Sequence, residues 1–157
     1  QCGNGLLEPF EGCDDADNDN GDSCNADCVE ESSGCPQISL GSAMGQAVYS
    51  GTNGGMGDNL APPCLNTCAA GGEDVTFSWV APYDGTFVFD NIGSAMGNTP
   101  ITLHNGGCGE AALVCSEGTG SQTSITRSLN QGQRVIISVD GCGPTVGDFQ
   151  LNISANN

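Results

Sequence analysis

The fold class is indicated most clearly by the stretch Asp74-Val-Thr-Phe-Ser-Trp-Val-Ala-Pro-Tyr-Asp-Gly-Thr-Phe-Val-Phe-Asp90. Its first half alternates, so Val75, Phe77 and Trp79 lie on one face of a predicted strand. Tyr83-Asp-Gly85 is a turn signal, and residues 86–90 form a second predicted strand. The stretch therefore predicts two strands that pair as a β-hairpin.

Short segments of the same kind lie on both sides of this stretch. They are residues 46–49, 101–104, 112–114, 124–129, 134–140 and 149–153. About seven or eight short strands without a convincing helix, with many glycines for tight turns, predict an all-β fold. We expect an antiparallel β-sandwich over residues 35–157, in which residues 51–72 form an irregular loop pinned by Cys64 and Cys68.

The cysteine content predicts disulfides and an oxidising compartment. The ten cysteines are Cys2, Cys13, Cys24, Cys28, Cys35, Cys64, Cys68, Cys108, Cys115 and Cys142. A single histidine and the lack of a zinc-type Cys-x-x-Cys pair leave no familiar metal site for these thiols. Reduced cytosolic proteins rarely carry so many cysteines. We therefore expect up to five disulfides and an extracellular or cell-surface location.

The spacing of the cysteines predicts only part of the disulfide pattern. Cys108 and Cys115 flank a predicted turn, so we expect them to pair with each other. Cys35 is expected to pair with Cys64 or Cys68, which leaves the other for Cys142. The four cysteines of residues 1–28 allow three pairings, and the sequence does not choose among them.

The charge of the chain excludes some classes of partner. Nineteen acidic residues and only two basic ones, Arg127 and Arg134, give a net charge of −17. Nucleic acids and anionic membrane surfaces are disfavoured as partners, because phosphate binding needs cations. The sequence also has no apolar run long enough to span a bilayer, so membrane insertion is not expected.

An acidic segment near the start of the chain predicts a calcium site. It reads Cys13-Asp-Asp-Ala-Asp-Asn-Asp-Asn-Gly-Asp-Ser-Cys24. Calcium takes six to eight oxygen ligands, which closely spaced Asp and Asn side chains supply. The segment is not an EF-hand loop, because Asn20 stands where that loop needs glycine and no glutamate closes it. The alternative is a solvated acidic loop, but closure by flanking cysteines would force the like charges together.

The first part of the chain resembles a known module. Cys2-Gly-Asn-Gly-Leu-Leu-Glu-Pro-Phe-Glu-Gly-Cys13, with Asn20-Gly-Asp-Ser-Cys24 and Cys28, is similar to the cysteine-rich repeat of myxobacterial surface proteins and to related Notch-like modules of pappalysin-type metalloproteases. The resemblance implies a calcium-binding module over residues 1–31 with two disulfides and one bound calcium. The calcium ligands that it implies are Asp14, Asp15 and Asp22, with Asn18 and Asn4. Phe10 and Ser23 depart from the pattern, since each stands where the repeat has glycine.

The rest of the chain resembles bacterial pre-peptidase C-terminal domains. The similar phrases are the opening stretch, Gly107-Cys-Gly109 with Cys115, and Gln133-Arg-Val-Ile-Ile-Ser-Val-Asp-Gly141. The resemblance implies a β-sandwich that serves as a non-catalytic appendage of secreted enzymes or surface proteins. These domains often carry an Asp-Thr pair before the middle strand, where this chain has Asn98-Thr99.

Residues with catalytic chemistry do not form a recognisable constellation in the sequence. His104 has no evident partner, and strand alternation predicts that it is a surface side chain. Glu73-Asp74 is an acidic pair, but such pairs are common in so acidic a chain and do not indicate an active site. Tyr49, Trp79 and Tyr83 could form a sugar-stacking platform, but the position of Trp79 among core residues favours packing. We therefore expect a protein that is not an enzyme.

The functional hypothesis is a structural or adhesive module, one unit of a multidomain surface protein or of a self-assembling fibre. The alternative is a carbohydrate- or protein-binding accessory domain of a secreted hydrolase. The expected partners are other protein modules, copies of the chain itself, or carbohydrate. Leu6, Leu7 and Phe10 are the predicted assembly contact, unless they pack on the chain's own sandwich, and Asn152 begins a glycosylation sequon.

One short sequence occurs twice. Gly41-Ser-Ala-Met-Gly45 is repeated as Gly93-Ser-Ala-Met-Gly97. The repeat is explained by chance, by two equivalent loops, or by a contact between them.

Overall fold

The computed structural model of the chain describes residues 35–97, 99–118 and 122–156. These residues form nine strands and no helix. The strands are β1 (Ile38–Ser39), β2 (Gly45–Thr52), β3 (Asp74–Val80), β4 (Gly85–Asp90), β5 (Ile101–Asn105), β6 (Ala112–Ser116), β7 (Ser124–Leu129), β8 (Arg134–Asp140) and β9 (Asp148–Ala155). The predicted strand segments are confirmed, with ends that shift by a few residues.

The strands form two sheets that pack as a disulfide-containing β-sandwich. The five-stranded sheet has the order β1-β3-β8-β5-β6, and the four-stranded sheet has the order β2-β9-β4-β7. The pairs are antiparallel except for β1 and β3, which run parallel. The core between the sheets contains the inward side chains of both, with Phe77, Trp79, Phe87, Phe89 and Leu151 fully buried. The predicted fold class is therefore confirmed.

The predicted hairpin of β3 and β4 is wrong, because the two strands belong to different sheets. β3 pairs with β1 and β8, whereas β4 pairs with β7 and β9. The turn between them carries the chain from one sheet to the other across the core. Their aromatic side chains face each other, and the ring centroid of Trp79 lies 5.0 Å from that of Phe87 and 5.4 Å from that of Phe89. Apolar alternation predicts a buried face, but a facing strand satisfies it as well as a neighbouring strand does.

The outer face of the five-stranded sheet is covered by a loop. Residues 53–73 connect β2 to β3, and we call them the covering segment. Within it, Leu60 packs on a small apolar cluster of Ile136, Cys35 and Cys108 on the outer face. The covering segment explains why the outward-facing residues of β8 are buried, although strand alternation alone predicts a solvated face.

Three disulfides hold this arrangement together. Cys64 pairs with Cys115 of β6, and Cys68 pairs with Cys142 just after β8, so both fix the covering segment to the sheet. Cys35 pairs with Cys108 in the turn between β5 and β6. The six cysteines of the described residues are all paired in this way.

The predicted Cys108–Cys115 pairing is therefore wrong, as is the pairing of Cys35 with Cys64 or Cys68. Cys115 lies opposite Thr102, three residues along β6 from Ala112, where the turn ends. Cys115 is therefore displaced along the strand from the turn that holds Cys108, where the covering segment brings Cys64 to it, while Cys108 bonds to Cys35. The alternative in which Cys142 pairs with Cys68 agrees with the structure.

Candidate functional site

An open groove lies on the outer face of the four-stranded sheet. The loop after β4 folds back over β9, where Ser94 Oγ donates to the carbonyl of Gln150 at 3.3 Å and accepts the Gln150 amide at 3.0 Å. The Met96 amide donates to the carbonyl of Asp148 at 2.9 Å. At Gly93 φ is 96°, and a Cβ there would lie 2.7 Å from Gln150 Nε2. Glycine therefore lets the loop lie this close to β9.

The groove has a mixed lining of polar and apolar groups. Its volume is about 460 Å³, and its lining consists of Ser50, Gly51, Gly93, Ser94, Ala95, Asp148, Phe149 and Gln150. A second hollow of about 280 Å³ lies beside the same loop, lined by Gly45, Gln46, Asp90, Ile92, Asn152 and Ser154. Hydroxyl, amide and carboxylate groups of this kind can hydrogen-bond to sugar hydroxyls or peptide groups.

The predicted aromatic platform does not form. Trp79 is fully buried, and its Nε1 donates to the carbonyl of Ala43 at 2.8 Å. Tyr49 packs on Phe77 with ring centroids 4.9 Å apart, while Tyr83 is 44% exposed at the turn before β4. Core packing of Trp79, the favoured interpretation, agrees with the structure.

Asn152 faces outward on β9, as expected, but it is covered. Its Nδ2 donates to Asp90 Oδ1 at 2.6 Å and to the carbonyl of Ile92 at 2.9 Å. Its Oδ1 accepts the amide of Ala47, in the bulged part of β2, at 2.8 Å. A glycan on Nδ2 would displace the two bonds that Nδ2 donates, so the folded sandwich disfavours glycosylation at this position.

His104 is buried, not exposed as the sequence predicts. It does lie on the outer face of β5, but that face is covered, and the side chain is only 7% exposed. Its Nδ1 lies 2.9 Å from the carbonyl oxygen of Glu110, and no partner for Nε2 occurs among the described residues. Strand alternation correctly predicts that His104 lies on the outer face of the sheet, but it does not predict that this face is covered.

A pair of buried carboxyl groups lies beneath the covering segment. Asp74 at the start of β3 is opposite Asp140 at the end of β8. Both side chains are almost inaccessible to solvent. The Asp74 carboxylate accepts hydrogen bonds from the amide of Leu60 at 2.6 Å and from Nδ2 of Asn59 at 2.7 Å. Asp140 Oδ2, in contrast, has no hydrogen-bond partner in the part of the chain that the structure describes.

Burial changes the proton affinity of both groups. Desolvation raises the pKa of Asp74, although hydrogen bonds from Leu60 and Asn59 oppose it. Desolvation, with repulsion from Asp74 and Asp58, raises the pKa of Asp140 to about 8, although a hydrogen bond from the Gly141 backbone opposes it. The sequence did not predict this pair, since Glu73-Asp74 looks like any acidic dipeptide and Asp140 is far away in the chain.

A third carboxylate holds the covering segment from the opposite side. Glu117, just after β6, accepts hydrogen bonds from the amides of Asn66 at 2.8 Å and Thr67 at 3.1 Å, and from the Cys68 amide at 3.3 Å. These bonds lower the pKa of Glu117, since they favour its charged form. No signal in the sequence distinguished Glu117 from the other acids.

Several predicted site residues lie outside the described ranges. These are the calcium ligands Asp14, Asp15, Asp22, Asn18 and Asn4 and the assembly contact Leu6, Leu7 and Phe10. Of the Asn98-Thr99 pair only Thr99 is described, and it is fully buried. In residues 35–97, 99–118 and 122–156, no three His, Cys, Asp or Glu side chains cluster so that they could hold a metal ion. The same ranges contain no helix with the length and apolarity to cross a bilayer.

The class of protein that the described residues define is a disulfide-bonded β-sandwich with a covered polar sheet face and an open groove. No protein-family model matches the chain, and no curated protein matches its sequence.

Proposed function

We propose that the chain is an extracellular structural or adhesive module, one unit of a multidomain surface protein or of a fibre, and not an enzyme. The observation that carries the proposal is the cross-linking of the covering segment to the sheet. Disulfides persist in oxidising compartments such as the cell exterior. Their loops span 51 to 74 residues, so each removes much conformational freedom from the unfolded chain.

The Cys35–Cys108 disulfide makes the start of the sandwich rigid. Cys35 lies directly before β1 and is fixed to the turn between β5 and β6. In a chain of modules, a fixed entry holds the preceding unit in a defined orientation. A Cys35–Cys108 cross-link therefore favours a scaffold over a freely jointed linker.

Calcium in residues 1–31 would complete such a scaffold. The aspartates between Cys13 and Cys24 repel one another unless a cation neutralises them. In this proposal Asp14, Asp15 and Asp22 bind the ion. The unit is too small to bury its own apolar residues, so Leu6, Leu7 and Phe10 contact a second copy or another module.

Native mass spectrometry of the full oxidised chain, with and without a calcium chelator, tests this proposal. We expect one bound calcium and an oligomer that dissociates when calcium is removed. Replacement of Asp14, Asp15 and Asp22 by Asn should abolish calcium binding, whereas Glu30→Gln with Glu31→Gln, outside the cysteine bracket, should not. A monomer without calcium at millimolar calcium would contradict the proposal.

The groove favours a second candidate function, a carbohydrate- or protein-binding accessory domain. Its mixed polar and apolar lining, next to the exposed Ile92 side chain, suits a ligand with both hydroxyl groups and an apolar edge. Ser50→Trp would fill the groove from the exposed surface of β2, and Thr126→Trp on β7 is the matched control on the same sheet. Loss of binding to a polysaccharide array in the first variant only would support this function, and no binding by the wild type would reject it.

A further inference from the structure

Asp74 and Asp140 are held at close range by the backbone. The Asp74 amide donates to the carbonyl of Gly57, and the Asp140 amide donates to that of Pro100. The two residues therefore do not bond to each other and form a non-hydrogen-bonded pair, in which the Cα atoms of antiparallel strands are about 4.5 Å apart. Their side chains point to the same covered face of the sheet.

No positive charge faces this pair among the described residues. Asp140 is next to Asp74 of β3, and Asp58 of the covering segment adds a second negative charge. On the side of β5 its amide donates to the carbonyl of Pro100, and the Gly141 backbone follows it in the chain. His104 lies further along the sheet, opposite Ile136, and Arg134 is at the other end of β8.

Two buried carboxylates without a counter-charge are unstable side by side. The hydrogen bonds that Asp74 accepts from Leu60 and Asn59 stabilise its charged form. Asp140 Oδ2 accepts no such bond, and the one hydrogen bond that favours the charged form of Asp140, from the Gly141 backbone, is outweighed by desolvation and repulsion. A proton on Asp140 therefore removes the repulsion at the smallest cost.

We propose that Asp74 and Asp140 form a carboxylic acid–carboxylate pair that holds one proton at neutral pH, and that loss of this proton at alkaline pH loosens the covering segment. The proton leaves Asp140 for water or hydroxide, and two adjacent anions remain. Their repulsion acts on Asp74, which anchors Asn59 and Leu60. This pH-dependent loosening of the covering segment does not depend on the proposed function.

The sign of the pH dependence follows from the raised pKa. In the folded chain Asp140 ionises near pH 8, well above its ordinary value of 3.8. Its contribution to stability is complete below the ordinary value and is lost as pH rises towards 8. The unfolding equilibrium constant should rise by up to about tenfold per pH unit in that window.

Carbon-detected NMR of the wild-type side-chain carboxyls tests the protonation directly. We expect the Asp140 carboxyl to be protonated at pH 6 and to titrate near pH 8, and the exchange of the Asn59 and Leu60 amides to accelerate in the same range. An Asp140 carboxyl that is ionised at pH 6 would overturn the proposal. Spectra with and without chelator should agree, because a shift upon chelation would mean that a cation neutralises the pair.

Asp140→Asn supplies a second, independent test. The amide imitates the neutral acid, so denaturant unfolding of this variant should lose the stability decrease between pH 6 and 8. Asp148→Asn, an exposed position at the start of β9, is the matched control and should keep the wild-type profile. Equal profiles for wild type and Asp140→Asn would overturn the proposal.

Discussion

Gly72 lies where the covering segment meets the end of β8, and no side chain fits there. A Cβ at this position would lie only 1.9 Å from the carbonyl oxygen of Gly141, which is backbone and cannot turn away. We expect Gly72→Ala to lower the free energy of unfolding by about 1–3 kcal/mol, the usual cost of overpacking. Denaturant unfolding measures this change.

Gly109 is the control for this prediction. It lies in the turn between β5 and β6, and a Cβ there would meet nothing within 4 Å. Gly109→Ala should leave the free energy of unfolding within about 0.5 kcal/mol of wild type. If both variants were equally stable, Gly72 would not lie against the Gly141 carbonyl oxygen.

The repeated five-residue sequence adopts two different environments, so its sequence alone does not determine which of its side chains are buried. In the first copy Met44 is 36% exposed, and Ala43 accepts the hydrogen bond from Trp79. In the second copy Met96 is 4% exposed and belongs to the core, while Ser94 lines the groove. The two copies are therefore not equivalent loops, because their surroundings and not their sequence decide which side chain is buried.

At the scale of single elements, successive side chains of β4 point to opposite faces of its sheet. Phe89 is fully buried in the core, whereas Val88, its neighbour, faces outward and is half-buried. We expect Phe89→Ala to cost about 3–5 kcal/mol of folding free energy and Val88→Ala much less. Thermal and denaturant unfolding of the two variants would contradict this assignment of faces if Val88→Ala were the more damaging.

The hydrogen bonds between Glu117 and the covering segment should make the stability of this segment depend on pH. Because the folded chain lowers the pKa of Glu117, its contribution to stability is present above the ordinary pKa and is lost as pH falls through the lowered value. Glu117→Gln should accelerate hydrogen exchange of the amides of residues 66–68 at neutral pH. Wild type should approach the variant's exchange pattern only in acid.

Glu110 provides the comparison for Glu117. It is an exposed glutamate in the turn between β5 and β6, and only its backbone carbonyl contacts His104. Glu110→Gln should leave exchange at residues 66–68 unchanged. If it had the same effect as Glu117→Gln, the loss of one negative charge, rather than the loss of a specific contact, would be responsible.

At the scale of the whole molecule, the disulfide pattern is the prediction with the clearest readout. Peptide mapping under non-reducing conditions should recover Cys35–Cys108, Cys64–Cys115 and Cys68–Cys142. A peptide that joins Cys108 to Cys115 would contradict the fold of β5 and β6. Replacement of Cys68 and Cys142 by serine should cost about 2–5 kcal/mol, because the unfolded chain regains a large loop.

Sequence reasoning located the strands better than the sites. The residues of β3, β7 and β8 were predictable because each strand carries its own alternating pattern. The buried acid pair was not, because Asp74 and Asp140 become neighbours only when β3 and β8 pair. The groove depends in the same way on a loop that folds back over β9.

The all-β class, the position of most strands, the burial of Trp79 and the oxidising environment that ten cysteines imply are all predictable from the amino-acid sequence. These properties follow from composition and from patterns within a few residues. The sheet that each strand joins, the pairing of the cysteines, the burial of His104 and the meeting of the carboxylates become visible only in the folded chain. Each of these depends on residues far apart in the chain, whose proximity is set by packing of the whole sandwich.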